Sequence, residues 1–132
     1  MITCNLAGGL GNQLFSIFTT IAYAMKYSKS FIFFNIYNLK NIYENRHTYW
    51  KTFLVELKPF LKDENECNNF KKISEVGFHY NEIKDAGMND MMLVGYFQSY
   101  KYFDKYKKSI CKLIKINEKK ENKGRLTYLK RK

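Results

Sequence analysis

Proline is almost absent from this chain, one residue in 132, and glycine, at seven, is scarce. That excludes collagen-like and Pro/Gly-rich low-complexity polymers. Cysteine is scarce too. Cys4, Cys67 and Cys111 are odd in number and far apart, with no Cys-x-x-Cys pair and no histidine at ligand spacing. This argues against a disulfide framework and against a zinc site, so no metal is expected. Apolar runs are short, and none approaches the roughly 20 residues of a membrane span. The start, Met1-Ile2-Thr3-Cys4-Asn5, lacks the basic leader of a secretory signal. A cytoplasmic or membrane-peripheral setting is therefore expected, with no signal peptide and no transmembrane helix.

What is present is apolar and aromatic. Hydrophobic residues make up 45% of the chain and aromatics 17%, enough for one packed domain that buries roughly two thirds of its unfolded surface. The formal net charge is +11, and its distribution matters more than its size. Residues 105–132 hold twelve Lys or Arg against two Glu, a balance of +10, whereas residues 1–104 hold eleven basic and ten acidic groups, a balance of +1. The body is neutral. In the basic segment no aromatic ladder or nucleic-acid motif appears apart from Tyr128, so specific nucleic-acid binding is not expected. The sequence divides into an α/β domain over residues 1–116 and a basic, disordered tail over 117–132, which lacks an apolar face.

Ile2 to Leu6 reads as a buried strand and Ala7 to Asn12 as a glycine-rich turn. From Gln13 the period changes: Leu14, Ile17, Phe18, Ile21, Ala22 and Met25 recur at three- and four-residue spacing, predicting a helix to about Lys29 with Asn12 as its N-cap. Phe31 to Ile36 is a second buried strand. Strand, turn, helix and strand form a βαβ unit, hence a parallel pair. Trp50, Phe53, Leu54, Leu57 and Leu61 predict a helix that Pro59 stops or kinks. A polar loop is expected at 63–69, short extended pieces around Val76 to Tyr80, and a turn at Asp85 to Asp90. Met91 to Phe97 is the third strand of the parallel core. Ser99 caps a second helix, to Lys115, with Tyr102, Phe103, Tyr106, Ile110, Leu113 and Ile114 as its apolar stripe.

The segment with chemistry to offer is Gly8-Gly9-Leu10-Gly11-Asn12-Gln13-Leu14-Phe15. Glycines between strand and helix let a ligand approach main-chain N–H groups, and the positive end of the helix suits a phosphate. Two familiar phosphate loops are excluded. A Walker A loop needs Gly-Lys-Ser/Thr, and no lysine lies between Met1 and Met25; the dinucleotide fingerprint needs glycine where Leu14 stands and an acid where the chain has Phe33 to Tyr37. Taken alone, the turn is open to a structural role as well as a binding one.

The octet, after a first strand and before an aromatic helix, resembles the N-terminal motif of the family 11 glycosyltransferases, the alpha-1,2-fucosyltransferases. Leu93-Val94-Gly95-Tyr96-Phe97-Gln98-Ser99-Tyr100-Lys101-Tyr102-Phe103 resembles that family's Gly-Tyr-Phe-Gln-Ser-x-Lys-Tyr-Phe segment, and Phe78-His79-Tyr80 an intermediate stretch. The resemblance covers residues 1 to about 116. It implies the N-terminal half of a two-domain, GT-B-like enzyme that moves fucose from GDP-fucose to a sugar hydroxyl with inversion and without a metal or other cofactor. Its implied partners are the nucleotide sugar and a glycan acceptor. The family continues with His-x-Arg-x-Gly-Asp, whose arginine is expected to hold the diphosphate. Here only His47 and His79 occur, neither followed by Arg-x-Gly-Asp. The expectation is a chain truncated before the donor-binding half, or one piece of a split enzyme, inactive alone.

By this resemblance Gly8, Gly9, Gly11, Asn12 and Gln13 line the diphosphate cleft, and His79, Gln98 and Ser99 are candidates for the cleft edge or acceptor. Each has a plainer role: Ser99 as a cap, His79 as a hydrogen-bonded structural histidine, Leu14 and Phe15 as core. His47 beside Arg46 reads as surface. Glu75 and Glu82 flank His79, but no carboxylate pair has persuasive spacing, so no catalytic base is named. The alternatives are a non-catalytic binding module whose basic tail engages nucleic acid or an acidic surface, against which the near-neutral body counts, or a decayed gene product.

Overall fold

A computed structural model describes residues 1–39, 45–66, 69–77 and 79–119. Cys67, Phe78 and residues 120–132 of the expected tail lie outside the described residues. The fold is mixed α/β around a small parallel sheet. Its strands are β1 (Ile2–Asn5), β6 (Lys71–Ser74) and β7 (Met91–Val94), in the order β1-β7-β6, with Ile2 and Lys71 both opposite Met91. Between β1 and β6 come α1 (Leu10–Lys26), β2 (Phe33–Phe34), β3 (Asn38–Leu39), β4 (Arg46–His47) and β5 (Leu61–Lys62); α2 (Lys107–Leu113) follows β7.

The expected βαβ unit is present in reduced form. After α1 the chain returns beside β1, where Phe31 bridges Ile2 in parallel and Ile32 N–H donates to the Ile2 carbonyl at 2.9 Å. Regular pairing then moves away from β1: β2 pairs in parallel with β5, and β3 with β4 as an antiparallel hairpin. The predicted six-residue strand is thus a bridge and a two-residue strand. Its aromatics explain the deviation, because Phe33 is buried against Trp50 at 5.4 Å while the Trp50 indole N–H donates to the Phe34 carbonyl at 3.1 Å. The ring contacts fix the path where a ladder would otherwise run.

α1 lies against the sheet. Ile2 and Cys4 alternate with Thr3 and Asn5, Met91 and Leu93 with Met92 and Val94, and the first member of each alternation joins Ile17 and Ile21 in one core with Leu54, Leu57, Phe103, Ile110 and Ile114. Each fully buried Ile or Leu contributes about 1.5–3 kcal/mol. The helix starts and ends three residues before its predicted limits. Gly9, not Asn12, is the N-cap, because Gly8 turns the chain at φ +76° and the helix can begin at once. At the other end Ser28 takes a left-handed φ of +53° and Lys29 N–H donates to the Ala24 carbonyl at 2.8 Å, which closes the last turn. Met25 is therefore on the exposed side.

Two further predicted helices are broken. Tyr49 to Leu61 forms turns and a 3-10 helix, Val55–Phe60, since Pro59 has no N–H to donate to Val55 in an α-helix; Trp50, Leu54 and Leu57 are buried nonetheless. Ser99 does act as a cap, its Oγ accepting from Lys101 N–H at 3.4 Å. The helix it opens runs as two 3-10 turns before α2, interrupted where Phe103 takes φ −136° and sets its ring edge-on to Phe18 at 5.2 Å. The extended piece expected around Val76 to Tyr80 lies earlier, at β6, an exposed edge strand of sequence Lys-Lys-Ile-Ser that lacks a hydrophobic signal. The Asp85 to Asp90 turn is present, with Gly87 at φ +68°. Residues 116–119 form a helical turn, and Lys119 reaches the Glu56 carboxylate and the Phe53 carbonyl, so the boundary placed after Ile116 falls too early.

Candidate active site at the glycine turn

All three strands of the sheet are parallel, so their carboxyl ends share one edge, the usual place for ligands in open α/β sheets. The glycine turn leaves β1 at that edge. Gly8 is required there: besides its positive φ, a Cβ would lie 2.6 Å from Asn12 Nδ2. Gly9 makes room for a neighbour from outside the turn, since a Cβ on it would stand 3.2 Å from Arg46 Nη1. Around Gly11 there is open space.

The two sequence blocks meet here. Gln98 Nε2 donates to Asn12 Oδ1 at 2.6 Å across 86 residues, and Ser16 Oγ donates to the Gly95 carbonyl at 3.1 Å. Gln13 is fully buried and joins a third segment: its Nε2 donates to the carbonyls of Gly8 and His47, both at 2.9 Å. Its Oε1 is buried and has no partner among the described residues. Leu14 and Phe15 pack partly buried against the core, Phe15 beside Phe103 at 5.9 Å.

Gly9 has no side chain to cap the helix and the first turn holds no acid. Gln13 N–H makes the first intrahelical bond, to the Gly9 carbonyl at 3.0 Å, so the amides of Leu10, Gly11 and Asn12 have no acceptor within the helix. The Arg46 guanidinium lies beside Gly9, close to the start of α1, where the helix dipole is positive.

The other sequence candidates divide. Gln98 is exposed at the turn. Ser99 serves as a cap. His79 is exposed on a separate segment, where its carbonyl accepts from Asn81 Nδ2 and Tyr102 Oη, and no bond among the described residues links it to the turn. Glu75 accepts from Phe97 N–H at 3.1 Å, and Glu82 pairs with Lys26 at 3.2 Å. Cys4 is buried, and burial pushes its thiol up to about 12 despite a hydrogen bond with Thr20, so it is no nucleophile at neutral pH.

Sequence reasoning missed the β3–β4 hairpin, which carries Arg46 and His47 to the turn. Two-residue strands give no periodicity, and the Arg-His dipeptide was the only signal. It also missed a cavity of about 380 Å³ whose wall includes Asn5, Leu6, Phe34, Thr48, Ser74 and Val94, at the same edge of the sheet. Among the described residues no cluster of His, Cys, Asp and Glu can hold a metal, and no helix is long and apolar enough to cross a membrane. Comparison with protein families, with curated proteins and with solved structures finds no match to this chain.

Proposed function

We propose that the chain is a glycosyltransferase-like protein related to the alpha-1,2-fucosyltransferases it resembles, contributing the glycine-turn wall of a GT-B-like cleft. The observation that carries this reading is the start of α1: a cap without a side chain, no acid in the first turn and a guanidinium alongside. As fucose leaves GDP-fucose, negative charge grows on the diphosphate. The amides of Leu10, Gly11 and Asn12 and the Arg46 guanidinium stand where that charge is offset. The Asn12–Gln98 pair at the mouth offers polar groups to the sugar, and the cavity beside Asn5, Leu6 and Thr48 has room for an acceptor ring. The family's His-x-Arg-x-Gly-Asp arginine has no counterpart in this sequence. One missing oxyanion-type donor costs about 2.7–4 kcal/mol of barrier, so transfer by this chain alone falls below detection.

The test is a radiolabelled GDP-fucose transfer assay on the purified chain, alone and mixed with a separately expressed segment carrying His-x-Arg-x-Gly-Asp. Turnover is expected only in the mixture, and Asn12→Ala should reduce it. Turnover by the chain alone removes the need for the second segment; no turnover and no diphosphate binding in either arm rejects the glycosyltransferase reading. A second reading rests on Lys107, Lys108 and Lys112 of α2 and Lys115 just after it, which line one groove. Capture of an acidic surface there would be salt-sensitive and indifferent to Arg46.

A further inference from the structure

The parallel sheet has one margin without a neighbour among the described residues. At β1 the returning chain bridges Ile2 through Phe31, whereas β6 is the last strand on its side. Lys71 N–H donates to the Asp90 carbonyl at 2.9 Å and Glu75 N–H to the Val94 carbonyl at 2.8 Å, so alternate residues of β6 turn their main chain toward β7. The N–H and C=O groups of Lys72 and Ser74 point the other way, and both residues are exposed. They form a short ladder that no described residue pairs with.

Each face of this margin opens into a groove. On the face of Lys72 and Ser74 lies one end of the cavity of about 380 Å³, walled there by Phe34, Met92 and Val94, with Lys72 and Glu64 as its one cation and one anion among the described residues. On the face of Lys71 and Ile73 a second groove, about 340 Å³, runs between β6 and residues 81–86. Its acids are largely engaged. Glu82 pairs with Lys26 at 3.2 Å and Asp85 with Lys29 at 3.1 Å, which leaves Glu75, an acceptor from Phe97 N–H, to offset both Lys71 and Lys84. Neither of these lysines has an ion pair among the described residues. The first groove is therefore apolar and balanced in charge, and the second holds an excess of positive charge.

We propose that the outer edge of β6 takes an extended peptide segment of another polypeptide as a fourth strand, one in which apolar and acidic residues alternate. The main chain of the added strand pairs with Lys72 and Ser74, which only a peptide backbone can match donor for acceptor. Successive side chains of a strand point to opposite faces, so its apolar residues enter the first groove beside Met92 and Val94 while its carboxylates meet Lys71 and Lys84 over the second. A second copy of this chain is a poor occupant. Its own β6 would bring Lys71 and Lys72 to a margin that already carries both, and edge lysines oppose such self-pairing. The inference does not depend on the reading of the glycine turn.

The probe is a fluorescent, end-blocked peptide of Glu-Val repeats, titrated with the 132-residue chain. An added strand turns only alternate amides to its neighbour. Of two versions N-methylated at every Glu or at every Val, the one whose methyl groups face β6 should therefore bind about tenfold more weakly than the parent. A Lys-Val repeat should not bind, and Lys71→Glu should weaken the Glu-Val peptide several-fold. Ser74→Pro should abolish binding and leave the melting temperature in place, because the N–H it removes faces away from β7. In the unchanged chain, which needs no variant to fold, saturating peptide should slow hydrogen exchange at the N–H groups of Lys72 and Ser74 and leave Lys71 N–H, already bonded to Asp90, as it was. Equal affinity of the parent and both N-methylated versions would reduce the contact to charge alone and overturn the proposal. So would unprotected Lys72 and Ser74 amides at saturation, or protection that rises with protein concentration and no peptide, which would assign the edge to a second copy.

Discussion

The segments that flank the middle of the chain and the middle itself are built in different ways. Residues 1–34 and 91–114 supply β1, β7, α1, α2 and most of the core, whereas between residues 35 and 90 only Thr48, Trp50, Leu54 and Leu57 are buried among the described residues. The flanking segments follow their hydrophobic period. The middle follows particular bonds, such as the Trp50 indole on the Phe34 carbonyl and the Gln13 amide on the His47 carbonyl. Stability is thus concentrated in the flanks, while Arg46 and His47 of the candidate site sit on the thinly supported middle. This matches the general pattern in which binding elements come from the less stable parts of a fold.

The largest expected effect compares two residues opposite each other in the sheet. Leu93 and Ile73 face one another across β7 and β6, but Leu93 is fully buried and Ile73 is half-buried on the edge strand. Leu93→Ala should cost about 2–5 kcal/mol in denaturant unfolding, and Ile73→Ala well under half of that. Equal losses would show that β6 is as much a part of the core as β7.

Gly8→Ala is next, at roughly 1–3 kcal/mol, because it forces a side chain into a left-handed φ and against Asn12. It should also weaken diphosphate binding, since the first turn of α1 must shift. Retained melting temperature together with retained binding would show that the turn tolerates a Cβ and that the geometry of Asn12 is not what shapes the site.

The smallest effect concerns Glu56. Burial raises its affinity for a proton, but Lys119, and more weakly Lys115, outweigh it and hold the carboxyl below its ordinary range. A depressed folded-state value stabilises the protein above the unfolded value of about 4.3 and loses that contribution as pH falls through the folded value. With both side chains only about one-fifth exposed, 20% and 18%, the pair should contribute up to about 1 kcal/mol. Glu56→Gln should lower the melting temperature by a few degrees at pH 7, and by progressively less as pH falls below the unfolded value of about 4.3. A difference that does not shrink as the pH is lowered would trace the effect to packing.

Much of the fold was legible where side chains repeat. The strand positions around Ile2 and Met91, the body of α1, the Ser99 cap and the Gly87 turn follow from alternation, 3.6-residue spacing and turn chemistry. What could not be read was set by contacts between distant segments: the shortening of the second strand by Trp50, the break at Phe103, and β6, whose lysines conceal a strand that β7 pairs with along its backbone. The candidate site divides in the same way. Gly8, Gly9, Asn12, Gln13 and Gln98 were visible as motif residues. That Asn12 and Gln98 touch, and that Arg46 completes the site, depends on the chain's path through space.

The pairing of Ile2 with Met91 also sets a timetable. On one side β1 gains its neighbour only after 89 further residues have been made, and closing a loop of that length brings no reward until β7 arrives. During synthesis the strand Ile2–Asn5 and the buried face of α1 remain without most of their cover until the ribosome has released Val94. Folding should therefore be late and abrupt, on the slow side for a chain this size, and nascent chains stalled before residue 91 should be targets for chaperones and proteases.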